Sequence, residues 1–399
     1  MKIGLVGKPS VGKSSMFKAL TLAEVEIAEY PFTTIDANVA VGYVKLKCVC
    51  KEFGVKCNPR YGFCIDGWRF VPVEIIDVAG LVPGAHKGRG LGNKFLDDLR
   101  QADVLIHVID ASGSTNEEGE YVGKGNYDPC KDVVFLEEEL DMWIKGIIER
   151  SFEKIKRLEC HNQGEKEDLL ADVLSGLKIS KKEVEEALEK TGLKDKMLKS
   201  WKEEDLKLFS SEIRKISKPI IIAANKCDVD VAEENIKRLK ERFPEKIIIP
   251  CSAQSEIALK MAAKKGLIKY IPGEKDFEII NDSALTVQQK EALNFIKKNV
   301  LEKYGSTGVQ NCIDKAVFDV LKYIAVFPGG VNKLADKEGN VLPDCFLMPP
   351  GSKAIDFAYK IHEDLGKHFI KAIDVRTKQM LGKDYVLKHR DVIEIVAGR

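Results

Sequence analysis

The stretch that decides the fold is Gly7-Lys8-Pro9-Ser10-Val11-Gly12-Lys13-Ser14. It matches the pattern G-x-x-x-x-G-K-[ST], between an apolar segment (2–6) that predicts a buried strand and a segment (15–21) with helical spacing. Strand, glycine-rich turn and helix start form the frame of a phosphate-binding loop, in which backbone N–H groups and the helix N-terminus face a phosphate. We therefore predict that Lys13 bridges the β- and γ-phosphates of a nucleotide and that the Ser14 hydroxyl binds Mg²⁺.

Length and charge limit the class of protein. The chain has 399 residues, enough for two or three domains, and a formal net charge of +1. This balance excludes a strong global attraction to nucleic acid or to membranes. No apolar run is long enough to cross a bilayer, and the first strand begins too early to leave room for a signal peptide. We expect a cytoplasmic protein without a membrane partner, and its oligomeric state stays open.

Two further stretches fit the contacts that a bound nucleoside triphosphate needs. Residues 30–34 read Tyr-Pro-Phe-Thr-Thr, where Thr34 can complete the Mg²⁺ shell, although such a stretch is also compatible with an ordinary loop. Residues 70–77 predict a strand that ends on Asp77, followed by Val78-Ala79-Gly80. In this D-x-x-G pattern Asp77 reaches Mg²⁺ through water and Gly80 offers its N–H to the γ-phosphate. The glycine-rich segment 84–92 predicts a region that changes conformation.

A later buried strand (219–224) ends on Asn225-Lys226-Cys227-Asp228. Asp228 can accept hydrogen bonds from the ring N–H and the amino group of guanine, whereas adenine lacks that pair of donors. We expect Asn225 to brace the loops and the stem of Lys226 to cover the base. After the next strand (246–250), a backbone N–H of the Cys-Ser-Ala segment 251–253 can meet guanine O6. Because ligands bind at the carboxyl ends of parallel strands, these motifs predict one nucleotide site.

The predicted site has three overlapping sets of residues. Those predicted to bind GTP or GDP are Gly7, Lys8, Pro9, Ser10, Val11, Gly12, Lys13, Ser14, Ser15, Asn225, Lys226, Asp228, Ser252 and Ala253. Those predicted to bind Mg²⁺ are Ser14, Thr34 and Asp77, and those predicted to act in hydrolysis are Lys13, Thr34, Gly80 and His86. His86 is the histidine nearest to the D-x-x-G motif and can accept a proton or a hydrogen bond; an exposed loop histidine without a catalytic role is the alternative.

Four of the ten cysteines fall in one turn-rich segment, at Cys48, Cys50, Cys57 and Cys64. Their spacing, C-x-C-x6-C-x6-C, lacks the paired C-x2-C knuckles that are common in zinc sites. A structural Zn²⁺, one or two disulfides, and free thiols all stay open. Scattered cysteines such as Cys160, Cys312 and Cys345 are expected to be free core residues.

Hydrophobic periodicity predicts the domain organisation. We predict an α/β domain with a doubly wound sheet (1–130 and 218–275), an inserted helical arm (131–217) folded as an antiparallel hairpin, a helical connector (276–321) and a small α+β domain (322–399). In the connector, the residues expected to form an apolar face are Leu293, Phe295, Ile296 and Val300. In the last domain, one helix (353–361) is expected among short strands.

These motifs resemble the Obg superfamily of GTPases, and most closely its YchF branch. The resemblance rests on the phosphate loop, on residues 30–34, on Asp77-Val78-Ala79-Gly80-Leu81-Val82-Pro83-Gly84-Ala85 and on Lys87-Gly88-Arg89-Gly90-Leu91-Gly92-Asn93-Lys94-Phe95. The last domain resembles the TGS domain, a β-grasp module, through Met348-Pro349-Pro350-Gly351-Ser352, Ile361-His362-Glu363-Asp364-Leu365 and Phe369-Ile370-Lys371-Ala372. The resemblance implies a helical arm inserted in the GTPase domain and a nucleotide switch associated with ribosomes, RNA or translation.

Two positions depart from the family pattern. YchF proteins typically carry N-x-x-E in the base-reading loop and accept ATP, whereas Asp228 completes the N-K-x-D pattern for guanine. In relatives that K⁺ activates, an asparagine stands where this chain has Ser10, so activation by K⁺ is not expected here. The sequence therefore favours GTP over ATP.

The leading hypothesis is a GTP-binding and GTP-hydrolysing switch that acts with ribosomes or RNA. Its intrinsic rate is expected to be slow, because Leu81 follows the D-x-x-G motif where Ras-like GTPases carry a glutamine that orients the attacking water. The alternatives are an ATPase like other YchF-like proteins, a scaffold gated by nucleotide with incidental hydrolysis, and a small-molecule kinase. The last is disfavoured by the N-K-x-D motif.

Overall fold

The structure is a computed structural model, and it describes residues 1–22, 38–78, 98–160 and 165–398. The chain forms two compact units, each assembled from three segments. The first unit contains Met1–Ala19, Ile75–Ile257 and Val287–Val309, and the second contains Leu20–Glu74, Ala258–Thr286 and Gln310–Arg399.

Among the described residues, strands predominate before residue 111 and after residue 323, and helices predominate between them. The strands are β1 (Lys2–Val6), β2 (Val39–Lys47), β3 (Phe63–Ile65), β4 (Trp68–Asp77), β5 (Val104–Asp110), β6 (Ile220–Asn225), β7 (Ile248–Pro250), β8 (Ile268–Tyr270), β9 (Phe277–Ile279), β10 (Ile324–Pro328), β11 (Phe346–Met348), β12 (Phe369–Asp374), β13 (Met380–Leu381) and β14 (Val392–Ala397). The helices are α1 (Lys13–Thr21), α2 (Cys130–Cys160), α3 (Lys166–Leu174), α4 (Lys181–Thr191), α5 (Glu203–Ser217), α6 (Ala232–Arg242), α7 (Ala253–Lys264), α8 (Val287–Ile296), α9 (Glu302–Tyr304), α10 (Val309–Asp314), α11 (Ala354–Ile361) and α12 (Glu363–Lys367).

The first unit is built on a parallel sheet. Within this unit the strands follow the order β1-β5-β6-β7, and the pairs β1–β5, β5–β6 and β6–β7 are parallel. Every residue of β5 is buried, as expected for a strand covered on both faces. The carboxyl ends of these strands lead into the predicted motifs, so the α/β fold class predicted from the sequence is confirmed.

The helical arm differs from the predicted hairpin. The described residues contain four helices here, in which α2 contacts α3 and α5, and α4 contacts both α3 and α5. Trp201 lies at the centre, with its ring 6.2 Å from that of Phe152 and 5.5 Å from that of Phe209. The extra helix α4 has local causes, because Ser180 forms a capping box at its start and Gly192, with φ +69°, ends it. Cys160 is exposed at the end of α2, so the prediction of a core residue there is wrong.

The predicted connector, residues 276–321, is not helical throughout. It begins with β9, which pairs with β8, and π-helical turns at Lys297–Leu301 and Lys315–Val320 interrupt the α-helices. Phe295 was predicted to share the apolar face with Leu293, but it is 47% exposed while Leu293 is buried. Two residues apart on a helix point to nearly opposite sides, so both cannot face one core.

The second unit contains a mixed sheet near its end. The strand order is β11-β10-β14-β12-β13, in which β10 and β14 are parallel and β12 and β14 are antiparallel. Helix α11 packs on this sheet through Phe357, which shares a buried cluster with Met348, Leu387 and Ile393. This arrangement confirms the predicted α+β fold, and it adds the short helix α12, which the sequence analysis did not predict. Apart from this sheet, β3 pairs with β4 in an antiparallel hairpin.

None of the helices in the described ranges combines the length and the apolar composition that crossing a membrane requires.

Candidate nucleotide-binding site

The loop between β1 and α1 surrounds a cleft of about 250 Å³. The residues that line it are Gly7, Lys8, Pro9, Ser10, Gly12, Lys13, Ser14 and Ser15. Helix α1 begins at Lys13, so its first residues, with their unpaired N–H groups, line the cleft. A helix start with this geometry attracts anions, as a phosphate site requires.

Two positions of the loop admit only glycine. Gly12 has φ +92°, and a Cβ atom there would lie 2.3 Å from Nδ2 of Asn225. At Gly7 a Cβ atom would lie 2.6 Å from the carbonyl oxygen of Val108. The loop therefore curls tightly because these glycines let it approach its neighbours closely.

The Lys13 ammonium contacts the Asp77 carboxylate at the end of β4. Ser14 follows Lys13 and is exposed at the cleft. Carboxylate and hydroxyl oxygens are hard ligands of the kind that Mg²⁺ prefers, so Ser14 and Asp77 are chemically suited to it. Thr34, Gly80 and His86, which complete the predicted metal and catalytic sets, lie outside the described residues.

Asn225, at the end of β6, connects two loops of the site. Its Nδ2 donates to the carbonyl of Val11 over 2.9 Å, and its Oδ1 accepts from the N–H of Ala253 over 3.1 Å. The side chain is 3% exposed. The side-chain amide of Asn225 thus joins the phosphate loop to the segment that follows β7, which is how this residue can brace the loops.

The segment after β7 makes a second connection to the phosphate loop. Gln254 Nε2 donates to the Ser15 hydroxyl over 3.1 Å. Ser252 is buried, and its N–H donates to the carbonyl of Thr307. The loop that carries Asp228, which is half-buried, is fixed beside it because the N–H of Cys227 donates to the carbonyl of Cys251. Residues 12–15, 225–228 and 252–254 therefore form one site.

Asp110, at the end of β5, is part of the site that the sequence analysis missed. Lys226 Nζ donates to its Oδ2 over 2.9 Å, and the hydroxyls of Ser114 and Thr115 donate to the same oxygen over 2.7 and 3.0 Å. Asp110 is 1% exposed. Burial raises the pKa of this carboxyl, but the hydrogen bonds from Ser112, Lys226 and Ser114 outweigh burial and hold it below the usual value. The available signal was its place at the end of a buried strand, where Asp77 and Asn225 also lie.

Lys8 points away from the phosphate cleft into the protein. Its ammonium donates to Oδ1 of Asp132 over 2.9 Å and to the carbonyl of Thr115 over 3.0 Å, and it lies 3.8 Å from the ring centre of Tyr127. Both side chains of the ion pair are nearly fully buried. Asp132 belongs to the first turn of α2, so a buried charge pair joins the phosphate loop to the base of the arm.

His107 is a buried core residue of β5, as predicted. Burial, together with the charges of Lys8 and Lys246, lowers its pKa from 6.5 to about 3. The imidazole is therefore neutral at physiological pH.

A separate group of four sulfurs lies in the second unit, where Cys48, Cys50, Cys57 and Cys64 come together. The four Sγ atoms all lie within 4.8 Å of one another. Cys48 and Cys57 are 3.7 Å apart and Cys50 and Cys64 are 4.0 Å apart, measured between Sγ atoms. The cysteines are free in this structure, and all but Cys64 are buried.

Three family models match the chain. Residues 2–136 match a 50S ribosome-binding GTPase model, residues 223–330 match the G4 motif-containing domain of the YGR210-like Obg-like GTPases, and residues 337–397 match the TGS domain.

Relatives match over nearly the full length. A GTP-binding protein of Methanocaldococcus jannaschii is 54% identical over 399 residues, covering 99% of each chain. The ribosome-binding ATPase YchF of Bacillus subtilis is 29% identical over 420 residues, covering 98% of this chain and 97% of the relative. The crystal structure of a GTP-binding protein from Pyrococcus horikoshii superposes with a TM-score of 0.78 at 40% identity, covering 100% of both chains.

Proposed function

Since the chain belongs to the Obg-like GTP-binding proteins of the YchF branch, we propose that it is a GTP-hydrolysing switch that acts with ribosomes or RNA. As in its relatives, a P-loop binds the nucleotide, and GTP or GDP with Mg²⁺ is the ligand that such a loop takes. The preference for GTP, the roles of individual residues and the partner are the new parts of this proposal.

The proposed preference for guanine rests on Asp228, supported by the contacts of Asn225. Because Asn225 bonds both Val11 and Ala253, the base loop is held in a fixed position relative to the phosphate loop. A carboxylate in that loop would accept from two guanine donors that adenine lacks. Losing such a desolvated pair of contacts costs on the order of 3 kcal/mol.

Equilibrium binding of GTP, GDP, ATP and xanthosine triphosphate to the purified protein tests this preference. We expect GTP to bind more tightly than ATP, and Asp228→Glu to weaken GTP binding and narrow the difference. Asp228→Asn should favour xanthosine triphosphate, because xanthine has a carbonyl where guanine has its amino group. Equal affinity of the wild type for GTP and ATP would refute the assignment.

For hydrolysis we propose that Lys13 stabilises charge on the phosphates and that Ser14, Thr34 and Asp77 hold Mg²⁺. The ion, when bound, would neutralise charge between the β- and γ-phosphates. Leu81 offers no group that orients water, so the intrinsic rate should be slow, well below one per second, as in GTPases without a positioned glutamine. His86→Ala should lower the single-turnover rate if the histidine acts and leave it unchanged if a partner supplies the missing group. A fast rate that survives His86→Ala without any partner would contradict this scheme.

The partner we propose is the ribosome or its RNA, because the Bacillus subtilis relative is named a ribosome-binding ATPase. The C-terminal module, residues 322–399, carries lysines suited to phosphate contacts. Lys367 and Arg376 already form ion pairs with Glu363 and Glu52, which leaves Lys360, Lys371 and Lys378 as the better candidates. Changing these three lysines to alanine should weaken ribosome binding and reduce its salt dependence. Ribosome binding that stays equally tight and equally salt-sensitive in this variant would exclude these three lysines as the contact.

We also propose that the four cysteines hold a structural Zn²⁺. A zinc ion about 2.3 Å from four tetrahedral sulfurs keeps them about 3.8 Å apart, whereas a disulfide requires about 2.04 Å. The separations of 3.7 and 4.0 Å fit the zinc geometry. Metal analysis should find about one zinc per chain, and Cys48→Ser with Cys57→Ser should abolish it. Purified wild-type protein that contains no metal would refute this proposal. So would cysteines that react with an alkylating agent only after a reductant is added, because these would be disulfides.

A further inference from the structure

Arg69 is a fully buried arginine with unsatisfied donors. It lies on β4 and is 0% exposed. Its Nη2 donates to the carbonyls of Leu342 and Pro343 over 3.0 and 3.1 Å, but Nε and Nη1 have no hydrogen-bond partner among the described residues. A charge that is taken out of water needs a compensating charge close by.

The four-sulfur group lies next to this arginine. In the hairpin formed by β3 and β4, Arg69 is directly opposite Cys64. Directly opposite residues of an antiparallel pair project from the same face of the sheet. A zinc ion with four thiolates carries a net negative charge, because the thiolates outnumber the charges of the ion. Such a centre would supply a counter-charge for the buried guanidinium.

The segment between Cys57 and β3 contacts residues 336–343 through a row of hydrogen bonds. The N–H of Asn58 donates to the carbonyl of Val341 over 3.1 Å, and the N–H of Val341 donates to Oδ1 of Asn58 over 2.5 Å. The N–H of Arg60 donates to the carbonyl of Pro343 over 2.8 Å, and its guanidinium pairs with Asp336 at 2.9 Å. Asn58 follows the proposed metal ligand Cys57 directly, so a metal that fixes the cysteines would also fix this row of hydrogen bonds.

We infer that Arg69 is the charge partner of the tetrathiolate metal centre and couples metal binding to the order of residues 336–344. The inference rests on the proposed zinc site. Arg69 would act on the metal through its charge and on the C-terminal module through the carbonyls of Leu342 and Pro343. It is a positioning residue and not a ligand.

Zinc release to the chelator 4-(2-pyridylazo)resorcinol tests the charge partnership in the full-length protein. Arg69→Met, which keeps the length and removes the charge, should release zinc about tenfold faster or more, as outer-shell substitutions at metal sites do. Arg69→Lys keeps the charge and should release zinc at an intermediate rate. Arg390→Met is the matched control, because Arg390 also contacts this part of the chain, at the carbonyl of Lys47 and at Glu52, but is partly exposed and is hydrogen-bonded to none of the four cysteines in the described residues.

The rival counter-charge is Asp344, which follows Pro343 and lies 4.0 Å from Arg60. If Arg69 neutralises Asp344, the faster release in Arg69→Met should disappear when Asp344→Asn is added. That result, or wild-type release from a folded Arg69→Met protein, would overturn the partnership. Persistence of the fast release in the double variant supports it.

Hydrogen–deuterium exchange on the wild type tests the coupling without any substitution, so it decides the matter even if Arg69→Met does not fold. Removal of zinc should accelerate exchange in peptides 57–61 and 340–345, whereas the core strand β12 should not change. Equal protection with and without zinc would overturn the coupling. Wild-type protein without any zinc would refute the metal site and this inference together, whereas zinc with unchanged release in Arg69→Met refutes the role of Arg69 alone.

Discussion

The ammonium of Lys226 donates a hydrogen bond over 2.9 Å to the carboxylate of Asp110 on the neighbouring strand. Lys226 adopts a left-handed backbone conformation, with φ +62°, at the turn that leaves β6. Asp110 is held in turn by Ser112, Ser114 and Thr115. The stem of Lys226, which we propose to cover the base, is therefore positioned by a residue outside the N-K-x-D motif.

Asp110→Asn should weaken GTP binding about tenfold or more, because a hydrogen bond between charged groups contributes about 1.5–3 kcal/mol. Lys226→Met should weaken it similarly. If the two residues act as one unit, the double variant should be no worse than the more affected single variant, which equilibrium binding of a fluorescent GTP analogue can measure. Strictly additive losses would show that Asp110 acts on the site by another route.

Gly12→Ala should abolish GTP binding, even where the variant still folds. The left-handed backbone alone costs more than about 1 kcal/mol, and the new methyl group must also displace Asn225, which it would approach to 2.3 Å. Gly192→Ala is the matched control, since φ is +69° there and no atom lies within 4 Å of the added Cβ. Comparable GTP binding by the two variants would contradict the steric argument.

Removing one member of the Lys8–Asp132 pair should destabilise the protein strongly. Asp132→Leu leaves a buried ammonium without its carboxylate, and such losses amount to about 3–5 kcal/mol. Combining Lys8→Met with Asp132→Leu removes both charges and should recover much of the stability. Urea unfolding of the two single variants and the double variant measures this; a double variant as unstable as the sum of the singles would show that the charges do not interact.

Stability should fall at acidic pH because of His107. Its pKa is about 3 in the folded protein and 6.5 in the unfolded chain, so the unfolded chain binds a proton between these values that the folded protein does not. Between pH 7 and pH 5 this linkage costs about 2 kcal/mol of folding free energy. His107→Leu should remove that part of the pH dependence. A constant difference in unfolding free energy between wild type and variant at the two pH values would refute it.

The sequence predicts those parts of the site that depend on neighbours in the chain. The phosphate loop, the aspartate that ends β4 and the N-K-x-D loop are local patterns, and the sheet brings their strand ends to one edge. Asp110 was missed, and the inward course of the Lys8 side chain was not predicted, because the partners of both lie far away in the sequence. Nothing local to Lys8 indicates that its side chain turns inward to Asp132.

The helical arm shows where periodicity alone fails. Apolar spacing predicts helices but not where they stop, and the boundaries here depend on the Ser180 capping box and the left-handed Gly192. The cysteine group is a similar case. Spacing left three chemistries open, and only the separations between sulfurs, 3.7 and 4.0 Å, show that these cysteines form no disulfide in the structure.

The buried pair of Lys8 and Asp132 has a mechanical consequence. Helix α2 has 31 residues and is anchored to the phosphate loop at its first turn. At 1.5 Å per residue it is about 46 Å long, so a rotation of about 5° at its base would displace its far end by about 4 Å. A small movement of the phosphate loop would thus be amplified into a displacement of several ångströms at the far end of the arm. A large partner bound there could detect it.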